Sequence, residues 1–128
     1  MSDSQVRLSV PPEATYARSV RMMAANLAVV CSMNVEEVED ARMVAEEAFV
    51  YACATSPHMC EITFDVAHDG LHMNFSLGAV DPSQDPAIAG DIELARLLLE
   101  AVSDSCEIAG DGRVLRVAKL VGGVYDAG

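Results

Sequence analysis

"ITFDVAHDGLHMNFSL", residues 62–77, sets the architecture of the chain. Ile62, Phe64 and Val66 alternate with Thr63 and Asp65, and Leu71, Met73, Phe75 and Leu77 alternate with His72, Asn74 and Ser76. A period of two sends successive side chains to opposite faces of a sheet, so each run has one apolar and one polar face. Between them His68-Asp69-Gly70 supplies a turn, and Asp-Gly tolerates the positive φ angles of a tight hairpin. The stretch predicts an antiparallel hairpin whose apolar side needs a cover.

The cover is written upstream. Asn34 followed by Glu37 resembles a capping box, and Val38, Ala41, Ala45, Ala48 and Ala52 then form a stripe of small apolar residues up to about Thr55. Ser56-Pro57 ends this helix. Before it, Val20, Met23, Leu27 and Val30 keep helical spacing from Glu13 to about Ser32, with Arg18 and Arg21 one turn apart. The short link makes the two helices packed neighbours. A strand through Val6, Leu8 and Val10 opens the chain and stops at Pro11-Pro12.

Downstream of the hairpin, "AVDPSQDPAIAG" breaks all periodicity, which predicts a long loop. "DIELARLLLEAV" is then a third helix, apolar on more than one face, as expected of a helix held between a sheet and a further surface such as another subunit. Cys106–Ala109 and 113–121, joined by "GDG", close the chain as two strands. The order β-α-α-β-β-α-β-β predicts an α/β (α+β) two-layer sandwich. A mixed, mostly antiparallel sheet is expected, with helices on one face, in a single domain over 1–128 with its core at about 6–121.

At 128 residues and 52% hydrophobic, the chain has material for one core, and disorder is expected only at the first and last few positions. Twenty acidic against eight basic residues give a net charge of -12, which repels a phosphate backbone and argues against direct nucleic-acid binding. The four cysteines lack C-x-x-C spacing and sit in apolar segments, as reduced core residues do. His58, His68 and His72 form no metal-ligand pattern with them, so no metal site is expected. Without a leader or a membrane-spanning run, the cytoplasm is the expected location.

"VAEEAFVYACA", residues 44–54, places Glu47 one helical turn before Tyr51, so both share a face. Together with "ATYARSVR", "LHMNFSLG" and "LLLEAVSDSCEI", and with the element order, this segment resembles the ATP-binding domain of the GHKL group (gyrase, histidine kinases, MutL). Within that group it is most similar to the small bacterial anti-sigma-factor serine kinases of the RsbW and SpoIIAB type. The resemblance spans roughly residues 6–121.

It implies a catalytic base at Glu47 and a magnesium-binding Asn four residues on, but that position is Tyr51, a neutral and bulky phenol that is a poor magnesium ligand. The family's adenine-binding Asp falls on Leu77 or, with a one-residue shift, Ser76, and Gly78 alone matches the motif's glycines. Its phosphate-binding glycine turn falls on Gly90, followed by Asp91 and Glu93, which would repel ATP. Tyr51, Leu77, Gly78 and Gly90 are thus degenerate positions of a nucleotide pocket, and no cofactor is expected. ATP and magnesium enter only if the chain is an active serine/threonine kinase that has rewired the pocket around Glu47.

Arg18 aligns with an arginine through which the family contacts its sigma factor and anti-anti-sigma protein, and Arg21 stands beside it. The resemblance implies a homodimeric regulator that sequesters a transcription-regulatory protein. A kinase is the alternative, and a structural dimer module a further one.

Overall fold

The computed structural model describes residues 4–122, so the terminal positions beyond them, including those at which disorder is expected, lie outside the description. Strand β1 (Ser4–Val10) leads through a single 3-10 turn into helices α1 (Ala17–Val30) and α2 (Val35–Ala54). Strands β2 (Cys60–Ala67) and β3 (Gly70–Ser76), helix α3 (Ala89–Val102), and strands β4 (Ser105–Ala109) and β5 (Val114–Leu120) follow. The described residues form an α/β protein with three α-helices and one five-stranded sheet of order β1-β2-β3-β5-β4.

Every neighbouring pair in that sheet is antiparallel, which corrects the expectation of a mixed sheet. Two consecutive helices return the chain to the end of the sheet where β1 finished, so β2 runs back along β1. The single helix α3 does make β4 parallel to β3, but β5 inserts between them and is antiparallel to both.

The register explains the two faces. Ile62 opposes Phe75, Phe64 opposes Met73, and these pair on to Leu115 and Val117 of β5; all six are buried. The alternate residues Thr63, Asp65, His72, Asn74 and Arg116 face away from the helices, where Asn74 Nδ2 donates to Thr63 Oγ1 at 2.9 Å and Gln5 Nε2 to Asp65 Oδ1 at 2.7 Å. Polar cross-strand pairs of this kind keep an uncovered sheet face wet.

Helix α2 lies in the middle of the helix layer, in contact with both α1 and α3. Ala41, Ala45, Ala48 and Ala52 are all fully buried, and their small size permits this approach on two sides. Its start is a complete capping box: Glu37 N–H donates to Asn34 Oδ1 at 2.8 Å, and Asn34 N–H to Glu37 Oε1 at 2.9 Å. The other oxygen of Glu37 accepts from Gly122 N–H at 2.6 Å, tying the end of β5 to the same turn.

The hairpin turn differs from the Asp-Gly reading. Ala67 pairs with Gly70, so His68 and Asp69 occupy the turn centre, and Asp69 has no positive φ. The positive φ falls on Gly70, the first residue of β3, and a Cβ there would also stand 2.3 Å from the Lys119 carbonyl oxygen on β5. Its own φ of 151° and the close approach of a neighbouring strand together fix this glycine.

Among the described residues no helix is long and apolar enough to cross a membrane.

Candidate functional site

Two places collect the residues singled out by the sequence. The first is a cleft where the C-terminal half of α2 meets the end of β3 and the β4–β5 turn. A cavity of about 480 Å³ is lined there by Tyr51, Thr55, Leu77, Gly78, Asp81 and Arg113, among others. A smaller cavity of about 130 Å³ lies between α3 and β4, and Tyr51 and Ile108 line both. The Tyr51 ring therefore stands between the two spaces. Burial raises its phenol above the ordinary value, Asp81 adds to the shift and Arg96 opposes it, so the group is neutral at pH 7.

Tyr51, Leu77 and Gly78 are thus brought together, and Gly90 is not. Gly90 is exposed in the first turn of α3, where an added Cβ would meet nothing within 4 Å. Nothing in its surroundings demands a glycine. Gly78 is the reverse case, pressed against the last turn of α2, where its N–H donates to Thr55 Oγ1 at 2.7 Å. Thr55 is buried, also donates its hydroxyl to Ala52 O at 2.6 Å, and accepts from Val80 N–H at 3.2 Å. Sequence reasoning missed Thr55; its one signal was a hydroxyl residue at a helix C-terminus.

Asp81 lines the cavity, but its carboxylate caps the short 3-10 turn that follows. Its Oδ1 accepts from the Ser83 hydroxyl at 2.7 Å and the Ser83 N–H at 3.0 Å, and these bonds hold it below the usual carboxylate range. Glu47 is not among the residues lining either cavity. It is half-buried, and desolvation first, then the charge of Glu46, raise its carboxyl above the ordinary value.

The second place is a groove of about 440 Å³ on the outer surface of α1 and α2. Arg18, Arg21 and Arg42, with one carboxylate, Glu39, surround Met22 and Val38 there. Arg21 Nη1 pairs with Glu46 Oε1 at 2.7 Å, and Arg42 Nη1 with Glu39 Oε2 at 2.7 Å. Arg18 is exposed and makes no ion pair among the described residues. The sequence reading found Arg18 and Arg21 but not Arg42, which joins them only through the packing of the two helices. Among the described residues no group of three or more His, Cys, Asp or Glu is placed to hold a metal.

No protein-family model matches the chain, and no curated protein is significantly similar to it.

Proposed function

We propose that this chain is a protein-binding regulator of the anti-sigma-kinase type. It sequesters a transcription-regulatory partner through the outer face of α1 and α2, and its nucleotide cleft no longer serves ATP. The observation that carries this reading is the basic groove. In a chain of net charge -12, three of its eight basic side chains converge around Met22, and Arg18 keeps its guanidinium free of internal partners among the described residues. A guanidinium beside an apolar pocket suits a partner segment that presents a carboxylate next to an aliphatic side chain.

The cleft supports the same reading from the other side. A half-buried phenol occupies the position where magnesium would need a hard oxygen ligand, and Asp91 is exposed in the first turn of α3 beside Gly90. A homodimer belongs to this proposal, and Leu94 and Leu97, both about half exposed on α3, offer it an apolar face. Sedimentation velocity tests the dimer.

Calorimetric titration with ATP and ADP, with and without magnesium, tests the cleft, and no magnesium-dependent heat is expected. Micromolar magnesium-dependent binding overturns the degenerate pocket. For the surface, affinity capture is compared between the wild type and Arg18→Ala, and unchanged recovery of every partner removes the role of Arg18. An active serine kinase is the second reading, favoured by Glu47, since a carboxyl raised above its ordinary value is better matched to accept a proton near neutrality. That reading requires phosphoryl transfer that Glu47→Gln abolishes.

A further inference from the structure

Strand β4 is the edge of the sheet. It pairs only with β5, so its other side presents backbone N–H and C=O groups without a strand partner among the described residues. Proteins blunt such an edge with short length, charged side chains, proline or a bulge, and of these β4 has its five-residue length and Glu107. Ser105–Ala109 contains no proline or lysine, and its register with β5 is unbroken.

What lies beside this edge distinguishes it from β1 at the other side of the sheet. Cys106 and Ile108 point to the helix side, because they pair with the buried Val117 and Leu115. Between them and α3 lies the cavity of about 130 Å³, whose apolar wall is Leu99, Cys106, Ile108, Leu115 and the Tyr51 ring. Ile108 is 50% exposed. A strand added about 4.8 Å from β4 would send every second side chain to this helix side, and the cavity has room for one aliphatic group of valine or isoleucine size.

The charge around the slot selects the occupant. Glu100 at its rim is paired with Arg96 at 2.7 Å, which leaves Glu107, on the polar face of β4 and without an ion pair among the described residues, as the uncompensated charge beside the slot in a chain of net charge -12. A second copy of the chain is disfavoured by register: antiparallel self-pairing that uses all five residues of β4 is centred on Glu107 and sets it directly opposite its own copy. Like charges placed so in a sheet repel. A strand with Lys or Arg at that place is attracted instead.

We propose that the free edge of β4, backed by α3, receives an extended, basic segment of a partner protein by strand addition, with one aliphatic side chain entering the cavity beside Tyr51. The inference is independent of sequestration through α1 and α2. Arg18 is on α1 and Ile108 on β4 beside α3, with α2 between the two helices, so variants at one surface test it without disturbing the other.

The test uses the full chain, isotopically labelled, and a heptapeptide of alternating Lys and Val. Two controls accompany it: the same peptide with Glu for Lys, and the Lys peptide with alternate backbone amides N-methylated. The expected result is that the Lys peptide shifts the amide resonances of residues 105–109 and slows their hydrogen exchange. It should bind at least about tenfold more tightly than the Glu peptide, which is about 1.4 kcal/mol, and N-methylation should abolish binding. Ile108→Glu should weaken binding about tenfold with an unchanged melting curve, since the residue is half exposed. Glu107→Lys should reverse the charge preference.

The proposal is overturned if the Lys peptide produces no shifts at millimolar concentration, or binds equally well when N-methylated. It is also overturned if the shifts map to Arg18 and Met22 or to Asn74 and Arg116, or if charge makes no difference. Protection of the β4 amides that rises with protein concentration in the absence of peptide would assign the edge to a second copy and equally overturn it.

Discussion

Gly78→Ala and Gly90→Ala should move stability in opposite directions, although both glycines occupy positions that resemble those of a nucleotide pocket. An added Cβ at Gly78 would stand 2.1 Å from the Thr55 carbonyl oxygen, 2.5 Å from the Ser56 carbonyl carbon and 2.6 Å from the Pro57 nitrogen. These are backbone atoms, so no side-chain rotation relieves the contact. The chain must withdraw from α2, and withdrawal strains the Gly78 N–H bond to Thr55 Oγ1 and the Val80 N–H bond to Thr55 O. Two hydrogen bonds at about 1 kcal/mol each, with about 1–3 kcal/mol for overpacking, give a loss of roughly 3–5 kcal/mol. That is a large share of the roughly 5–15 kcal/mol typical of a domain. Gly90 has open space in the first turn of α3, and alanine there should stabilise by about 0.5 kcal/mol through the reduced entropy of the unfolded chain. Urea unfolding followed by circular dichroism measures both. A Gly78→Ala variant within about 0.5 kcal/mol of wild type, or a Gly90→Ala variant that loses stability, would refute the packing argument.

Three further outcomes follow from the electrostatics. Glu47 has its pKa raised in the fold, so its ionised form opposes folding, and stability falls as pH rises from the ordinary value of 4.5 through the raised one. Glu47→Gln should therefore be more stable than wild type at pH 7, by less than about 1 kcal/mol given its exposure, and the gain should fade on acidification below 4.5. Burial pushes the Cys60 thiol up to about 12 and that of Cys53 to about 11. Cys60 should stay silent toward a disulfide reagent at pH 8 in the native protein, while all four thiols react in denaturant; rapid native labelling of Cys60 contradicts this. Lys119, the chain's sole lysine, is 13% exposed and lies 3.2 Å from Asp40 Oδ2 and 3.7 Å from Asp104 Oδ2. Lys119→Met leaves two carboxylates facing an apolar group and should cost about 2–3 kcal/mol, with Asp40→Asn recovering part of the loss in a double-mutant cycle.

The features legible in the sequence were those that one element expresses alone. Alternation at 62–77 and the alanine stripe from Ala41 to Ala52 are local patterns, and each marks the face its element buries. The capping box at Asn34 and Glu37 spans three residues and formed as written. What failed depended on distant partners. Asp-Gly is a local signal and Gly70 does take a positive φ, but the atom nearest an added side chain belongs to Lys119, some fifty residues on, and no local pattern records it. The all-antiparallel sheet required knowing that β5 inserts between β3 and β4, a choice of pairing that no single strand records. Arg42 joined Arg18 and Arg21 only through the rotation of α2 against α1. Gly90, by contrast, has open space around it and does not line the cleft, and a lone glycine near a helix start carries little information without the backbone around it.

Between the two candidate surfaces stands α2. On its α1 side Arg21 and Arg42 are paired with Glu46 and Glu39 and Arg18 is left unpaired among the described residues, while on its other side Arg96 bridges Glu93 and Glu100 and Glu107 is left unpaired. Packed helices lie about 8–10 Å apart, so the axes of α1 and α3 are separated by roughly twice that distance, or about two Debye lengths at physiological salt. The two uncompensated charges, Arg18 and Glu107, therefore act on approaching molecules as separate fields, although the chain as a whole is strongly negative. Net charge alone would predict attraction to any basic protein and repulsion of any acidic one. The arrangement predicts selection by surface, with an acidic segment drawn to α1 and α2 and a basic strand to β4. Charge reversal at Arg18 should leave the affinity of the Lys-Val peptide for β4 within about 0.5 kcal/mol. A larger effect would mean that the three helices shift as one unit, with the alanine-packed α2 transmitting the change.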